Sequence, residues 1–273
     1  MLTINNRKYF LLLLDTNALS NFIKSPEHWI TWIKNKFLFS QTIICYSIFS
    51  LSELQVKDYL FEKYLDLFSL YPSAILDGYE TLVDKEIKAY KSELNPVNPI
   101  LLLPYAIKSE RNIPNREKLE MVLADSQFYN NSKYWIDSRK DILIKILRLI
   151  ENYPPKNRNY TVEEIDDFVE KVSIQQLILK NGMVINKIIN IEEQCVNHFK
   201  SIKAISYLVF YKFYTDNKKP SLSDIHDLLI SSVLPYVDHV VTEKHLCEII
   251  RKVKQKHQFF ENLGYERLPN LNV

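Results

Sequence analysis

The chain has 273 residues, 47% of them hydrophobic and 25% charged, enough for one large domain or for a core carrying a second unit. A formal net charge of +2 provides no global field for polyanions, so a nucleic acid would have to be held by a local basic patch. Only three glycines occur, Gly78, Gly182 and Gly264, which excludes G-x-G-x-x-G and P-loop motifs and with them dehydrogenase and P-loop NTPase functions.

The first predicted element is a strand. Leu11 to Leu14 run unbroken into Asp15, and Asn17 and Ser20 follow at once. A short apolar run ending in an acid reads as a buried parallel strand, with its carboxylate emerging at the C-terminal sheet edge, where open α/β folds place ligands. An acid there also reads as the cap of the next helix. Ser25-Pro26-Glu27 then opens a helix carrying Trp29, Trp32, Ile33 and Phe37 at helical spacing. Thr42 to Tyr46 predicts a second buried strand ending at Ser47. A helix with Leu51, Leu54, Tyr59, Leu60, Tyr64, Leu65 and Phe68 follows, stopped by Tyr71-Pro72. Glu53 lies in its first turns, just past a strand end, as Asp15 does.

Residues 73–215 change character. Apolar residues recur at three-to-four spacing, broken by Asn95-Pro96, Ile113-Pro114 and Tyr153-Pro154-Pro155. Helices are expected over Ser132–Asn152, from the Thr161-x-x-Glu164 capping box to Asn181-Gly182, and from about Ile185 through the aromatic stretch Tyr207–Tyr214. The stretch exceeds any ordinary loop and reads as a helical insertion. The α/β rhythm then returns: a helix begins at Ser221-Leu222-Ser223-Asp224 and stops before Pro235. A strand spans Asp238 to Thr242, and an amphipathic helix carries Leu246, Ile249, Ile250 and Val253. The tail from Gly264 is expected to be ordered only in part. The domain reading is therefore an α/β core from 1–72 and 216–273, interrupted by 73–215.

Cys45, Cys195 and Cys247 are far apart and odd in number, which suits buried thiols in a reducing compartment. Cys195 and His198 form one C-x-x-H without the second pair that structural zinc wants. The N-terminal apolar run is short, carries Asp15 and lacks a signal-peptide cleavage site. No stretch approaches the roughly 20 apolar residues of a membrane span. The expectation is a cytoplasmic protein with no membrane partner.

Acids at strand ends or helix starts are the candidate chemistry: Asp15 and Glu53 from the first half of the sheet, Asp224, Asp227 and Asp238 from the second. Carboxylates within a few ångströms of one another repel, more so when buried, and a divalent cation relieves the repulsion. Oxygen ligands without cysteine or histidine favour Mg²⁺ or Mn²⁺. Such a site can activate water and stabilise a phosphodiester under in-line attack.

LLLLDTNALS, the SLSEL segment at 50–54, and SDIHDLLISSVLPYVDHVVTEK at 223–244 together resemble the signature segments of the PIN-domain nucleases. The resemblance covers about residues 8–70 and 218–260. It implies a parallel-sheet, Rossmann-like three-layer α/β core of PIN type with a large all-α insertion. It also implies a metal-dependent endoribonuclease using Mg or Mn, with nucleic acid as partner and RNA favoured over DNA. By that likeness Asp15 is the first metal ligand and Glu53 the second, with Asn17 and Thr242 in support. Asp227 best fits the third position. Asp224 is its rival one turn earlier, and Asp238 belongs to a subset of PIN-like proteins that retain it. After Thr242 the family often has another acid; Glu243 fits this slot loosely.

Arg251, Lys252 and Lys254 lie in the densest basic stretch, suited to a phosphate backbone or to a solvated helix face. The six histidines share no ligand spacing, and His226, beside Asp227, reads as a surface residue. Two other functions fit the same residues. One is a catalytically inactive PIN-like scaffold docking a protein partner through the helical region; the other is a phosphoesterase acting on small molecules.

Overall fold

The computed structural model describes residues 2–4, 7–38, 41–92, 97–103, 114–124, 126–188 and 193–269. At its centre is strand β2 (Arg7–Leu14), in which Leu11 to Leu14 are at most 2% exposed. That is why the strand reads as continuous rather than alternating: both faces are covered, and each buried leucine contributes about 2 kcal/mol. β1 (Leu2–Ile4) pairs antiparallel with the N-terminal half of β2. On one side of β2 lie β3 (Thr42–Ser47), β4 (Ser73–Leu76) and β5 (Ile100–Leu102); on the other lie β6 (His239–Thr242) and β7 (Gly264–Arg267). The order is β5-β4-β3-β2-β6-β7, and within it only β5 runs antiparallel to its neighbour. The architecture is α/β with a mostly parallel sheet, compatible with a Rossmann-like core.

The register sets Leu13 of β2 opposite Cys45 of β3 and Val240 of β6. From β2 the chain first builds outward through β3 and β4, and returns only at β6 to cover the other side. The C-terminal ends of β2 and β6 therefore form the topological switch point, the crevice where open α/β sheets bind ligands.

Helices α1 (Thr16–Lys24), α2 (Pro26–Lys36), α3 (Ile48–Gln55) and α4 (Asp58–Phe68) connect the first strands. The predicted single helix over 51–68 is two, because Lys57 leaves helical geometry and α4 restarts with Asp58 in its first turn. Asp58 is favourable there against the positive end of the helix dipole. α5 (Tyr79–Ser92), α6 (Asn115–Leu123), α7 (Ser126–Asn152), α8 (Val162–Ile188) and α9 (Lys200–Phe210) make up the middle, and α10 (Leu222–Ser231) and α11 (Lys244–His257) close the chain. No helix among the described residues is long and apolar enough to cross a membrane.

Several expectations are corrected. The stretch from 73 is not all helix: β4 and β5 extend the sheet, so a core boundary at 72 cuts through it. The four-residue SAIL strand is too short to show a period. The middle helices are only partly separate: Val83, Ile87, Leu177, Phe199 and Ile202 form a small cluster of their own, while others share the core of the sheet. Leu119, Leu123, Ile146, Ile165 and Val169 pack in one hydrophobic cluster with Leu11–Leu14 and Val241. α8 continues past Asn181-Gly182 to Ile188; glycine inside a helix costs only about 1 kcal/mol. The helix expected from about Ile185 is instead a 3-10 segment (Glu193–His198), then α9, then a π-helical turn (Tyr211–Thr215). The tail supplies β7, parallel to β6. Asn95 and Pro96, Ile113 and the side chain of Cys195 lie outside the described residues.

Candidate active site

Asp15 ends β2 and caps α1, so both readings of this acid hold at once. Its Oδ1 accepts from the Ala18 N–H at 2.7 Å, the hydrogen bond of an N-cap. Its Oδ2 accepts from the Thr242 hydroxyl at 2.6 Å, across 227 residues of sequence. The Asp15 N–H extends the ladder to Val241 O at 3.2 Å, which fixes Asp15 beside the end of β6. Burial pushes its carboxyl up to about 6. The bonds from Ala18 and Thr242 oppose the rise, and the charges of Glu243 and Asp227 add to it.

A narrow cleft of about 50 Å³, room for a few waters or a small ion, opens at this point. Asp15, Asn17, Thr242, Glu243, Asp227, Lys212 and His245 are among its lining residues. Glu243 is the N-cap residue of α11, and its Oε1 accepts from the Asn17 side-chain amide. Asp227 projects from α10, half exposed, and its Oδ2 accepts from the Lys212 ammonium at 2.6 Å. His245 pairs with Asp216 at 2.9 Å.

Glu53 lies beside this cleft rather than in its lining. Partial burial would raise its pKa, but a hydrogen bond and charge from His226, with help from Thr16 and Arg139, bring it below the usual range. His226 is 7% exposed, packed edge-on against Phe49, and its Nδ1 meets Glu53 Oε1. The surface reading of His226 is therefore corrected: from α10 its ring reaches α3 and holds Glu53 near Thr16, next in sequence to Asp15.

Asp224 is 1% exposed and serves the fold. Its Oδ2 accepts from the Ser221 N–H at 3.0 Å and from the Ser221 hydroxyl, closing a capping box, while Oδ1 accepts from Lys218 at 2.6 Å and Lys212 at 3.2 Å. Burial opposes its ionisation, but Lys218, Ser221 and Lys212 outweigh burial and lower its pKa to about 2.

The structure does not bring Asp238 to the cleft. Its Oδ2 accepts from Leu11 N at 2.9 Å and its N–H donates to Leu11 O at 3.0 Å, so it closes the opposite end of the β2–β6 ladder. Leu11 lies four steps along the strand from Asp15, roughly 13 Å.

In the basic stretch, Lys254 donates to Leu263 O at 3.0 Å, binding α11 to the turn before β7. Lys252 pairs with Asp216 at 3.6 Å and lies over the Tyr211 ring. Arg251 is exposed on the same helix.

The residue that sequence reasoning missed is Lys212. Its signal was a lone charge inside the aromatic run YLVFYKFYT, since a lysine among buried apolar residues requires a partner. It sits 2% exposed in the π-helical turn, and its ammonium reaches Asp227 and Asp224.

The donor chemistry fits a hard divalent cation: carboxylates of Asp15, Glu243 and Asp227 face one cleft, and two of them raise the proton affinity of the third. Among the described residues, however, no three acids, histidines or cysteines stand close enough to form a ready ligand set. Lys212 already holds one Asp227 oxygen. No protein-family model, curated protein or solved structure matches the chain, so the functional reading rests on this geometry and on the sequence motifs.

Proposed function

We propose that the chain is a divalent-metal-dependent nuclease of PIN-like type that hydrolyses phosphodiester bonds, with RNA favoured over DNA by the sequence resemblance. The observation carrying this reading is that Asp15, from one end of the chain, and Asp227 and Glu243, from the other, line one cleft at the switch point of a parallel sheet. Asp15, Glu243 and Asp227 would hold Mg²⁺ or Mn²⁺, which supplies Lewis acidity and activates water. The remaining contacts position these acids: Ala18 and Thr242 orient Asp15, and Asn17 orients Glu243. The His226–Glu53 pair is a second acid at the margin of the same cleft. Arg251 and Lys256, both exposed on α11, could meet a phosphate backbone, with an affinity that falls as salt rises.

A second reading, a PIN-like scaffold without turnover, is favoured by the Lys212 contact with Asp227 and by the absence of a ready ligand triad among the described residues. One experiment separates the two. Single-stranded RNA is incubated with purified protein and Mn²⁺ or Mg²⁺, alongside Asp15→Asn and a chelator control. Nuclease function requires metal-dependent cleavage that Asp15→Asn lowers at least about a hundredfold with an unchanged circular dichroism spectrum. No cleavage with either metal, or equal cleavage by the variant, establishes the scaffold or a contaminant.

A further inference from the structure

Beside the narrow cleft lies a larger, open cavity of about 550 Å³, lined by Glu243, Lys244, His245, Glu248, Arg267 and Leu268. That volume suits a ligand the size of one nucleotide, which the cleft of about 50 Å³ cannot admit. Glu243 and His245 line both, so the two adjoin at the first turn of α11. The far wall is the end of β7. Arg267 there is the register partner of Thr242, whose hydroxyl holds Asp15, and register partners in a sheet project to the same face. The Leu268 N–H donates to Thr242 O at 2.8 Å and fixes this wall to β6.

Most polar groups of this cavity already have partners. His245 is held by Asp216 at 2.9 Å, Lys244 lies 3.8 Å from Glu248, and Glu243 accepts from Asn17. Glu266, next to Arg267 in sequence, points to the other face of the sheet, where it pairs with Lys36 and, at 3.8 Å, with His239. Arg267 is exposed and makes no hydrogen bond or ion pair among the described residues. Its planar fork of donors is therefore uncommitted, and that fork matches two oxygens of a phosphate. Glu243 and Glu248 repel a phosphate elsewhere in the cavity, which confines the favourable position to the guanidinium. We infer that this cavity receives the nucleotide next to the bond that is cut, with Arg267 on its phosphate. A single strand then crosses the end of β7 beside the cut instead of running down α11. The inference deepens the proposed function and rests on its choice of nucleic acid as substrate, though not on turnover.

The test is the binding of a labelled single-stranded RNA to the full chain, read by fluorescence anisotropy across a range of salt, with chelator present so that nothing is cut. Arg267→Gln is expected to weaken binding about tenfold at low salt. It should also lower the slope of log affinity against log salt by about 0.7, the share of one phosphate on a single strand. Arg267→Lys should restore the slope and only part of the affinity, because lysine supplies the charge without the fork. Lys256→Gln, about 18 Å along α11 from Lys244, should stay within about twofold of wild type. The inference is overturned if wild type binds no RNA, if Arg267→Gln leaves affinity and slope unchanged, or if Lys256→Gln loses as much as Arg267→Gln. Cleavage assays in Mn²⁺ or Mg²⁺ separate it from the function it deepens. RNA that is bound through Arg267 yet left intact ends the nuclease reading and keeps the cavity assignment. RNA that is cut, with binding and KM indifferent to Arg267→Gln, does the reverse.

Discussion

The hydroxyl of Thr242 donates to Asp15 Oδ2 at 2.6 Å and joins the C-terminal ends of two parallel strands that lie 227 residues apart in sequence. Thr242 is 1% exposed, so the bond is made in a nearly dry setting at the floor of the cleft. Thr242→Val keeps the shape and removes the donor. It is expected to cost about 1–3 kcal/mol in urea unfolding, because a buried carboxylate oxygen loses its partner. The Asp15 carboxyl then moves further above about 6. Metal-dependent cleavage should fall by about tenfold or more, as when a partner that orients a metal ligand is removed, and Thr242→Ser should retain most of both properties.

Glu53 and His226 are coupled through one hydrogen bond between α3 and α10. A double-mutant cycle with Glu53→Gln and His226→Phe is expected to give a coupling of about 1 kcal/mol in unfolding free energy. The Glu53 pKa is depressed in the folded state, so its contribution is present above the unfolded value near 4.5 and is lost as pH falls through the folded value. A coupling that stayed constant from pH 7 down to pH 3 would contradict the charged pairing.

Glu86 on α5 is 1% exposed and binds the Ser201 N–H at 2.8 Å and the Tyr236 hydroxyl, while its Oε2 is buried without a partner among the described residues. Burial raises its pKa to about 7, against the opposing bonds from Tyr236 and Ser201. Between the unfolded value of 4.5 and about 7 the folded chain keeps a proton that the unfolded chain has released. Stability is therefore lost as pH rises through that window and is level above it, a span of about 3 kcal/mol. Glu86→Gln removes this dependence. Urea midpoints at pH 5 and pH 8 should show the variant gaining on wild type as pH rises.

Gly264 opens β7 opposite His239, and a methyl group on it would stand 2.2 Å from His239 Nδ1. Gly264→Ala is expected to destabilise by about 1–3 kcal/mol through overpacking. Trimming the ring in a Gly264→Ala, His239→Ala double variant should recover part of the loss. Strictly additive thermal-unfolding costs would show that the clash is not the cause.

Elements with a strong local signal could be read directly. The Leu11–Leu14 run, the Thr42–Tyr46 strand and the helices after Pro26 and Ser221 all formed, because each buries one recognisable face and carries its own cap or stop. β4, β5 and β7 could not be read that way. At three or four residues each, their strand character comes from the neighbour they pair with. In the site, Asp15 and Asp227 were legible as acids beyond core elements, whereas Asp238 was misplaced because its contact with Leu11 depends on β6 register. Lys212 was missed and His226 misread as a surface residue for a related reason. Both act across packed helices, and neither spacing nor composition records which helices pack together.

The order in which the site can be assembled during translation follows from the sheet topology. A nascent chain synthesised through α10 already contains Asp15, Glu53, Asp227 and Lys212, yet the side of β2 that receives β6 is still bare and neither Thr242 nor Glu243 exists. Such a chain has an open parallel edge along Leu12–Leu14, a surface that invites strand exchange or chaperone capture. The docking of β6 then does two things at once: it seals that edge and supplies the hydroxyl and carboxylate that complete the cleft. Any chemistry at the cleft is therefore withheld from the ribosome-bound chain until β6 has emerged and docked.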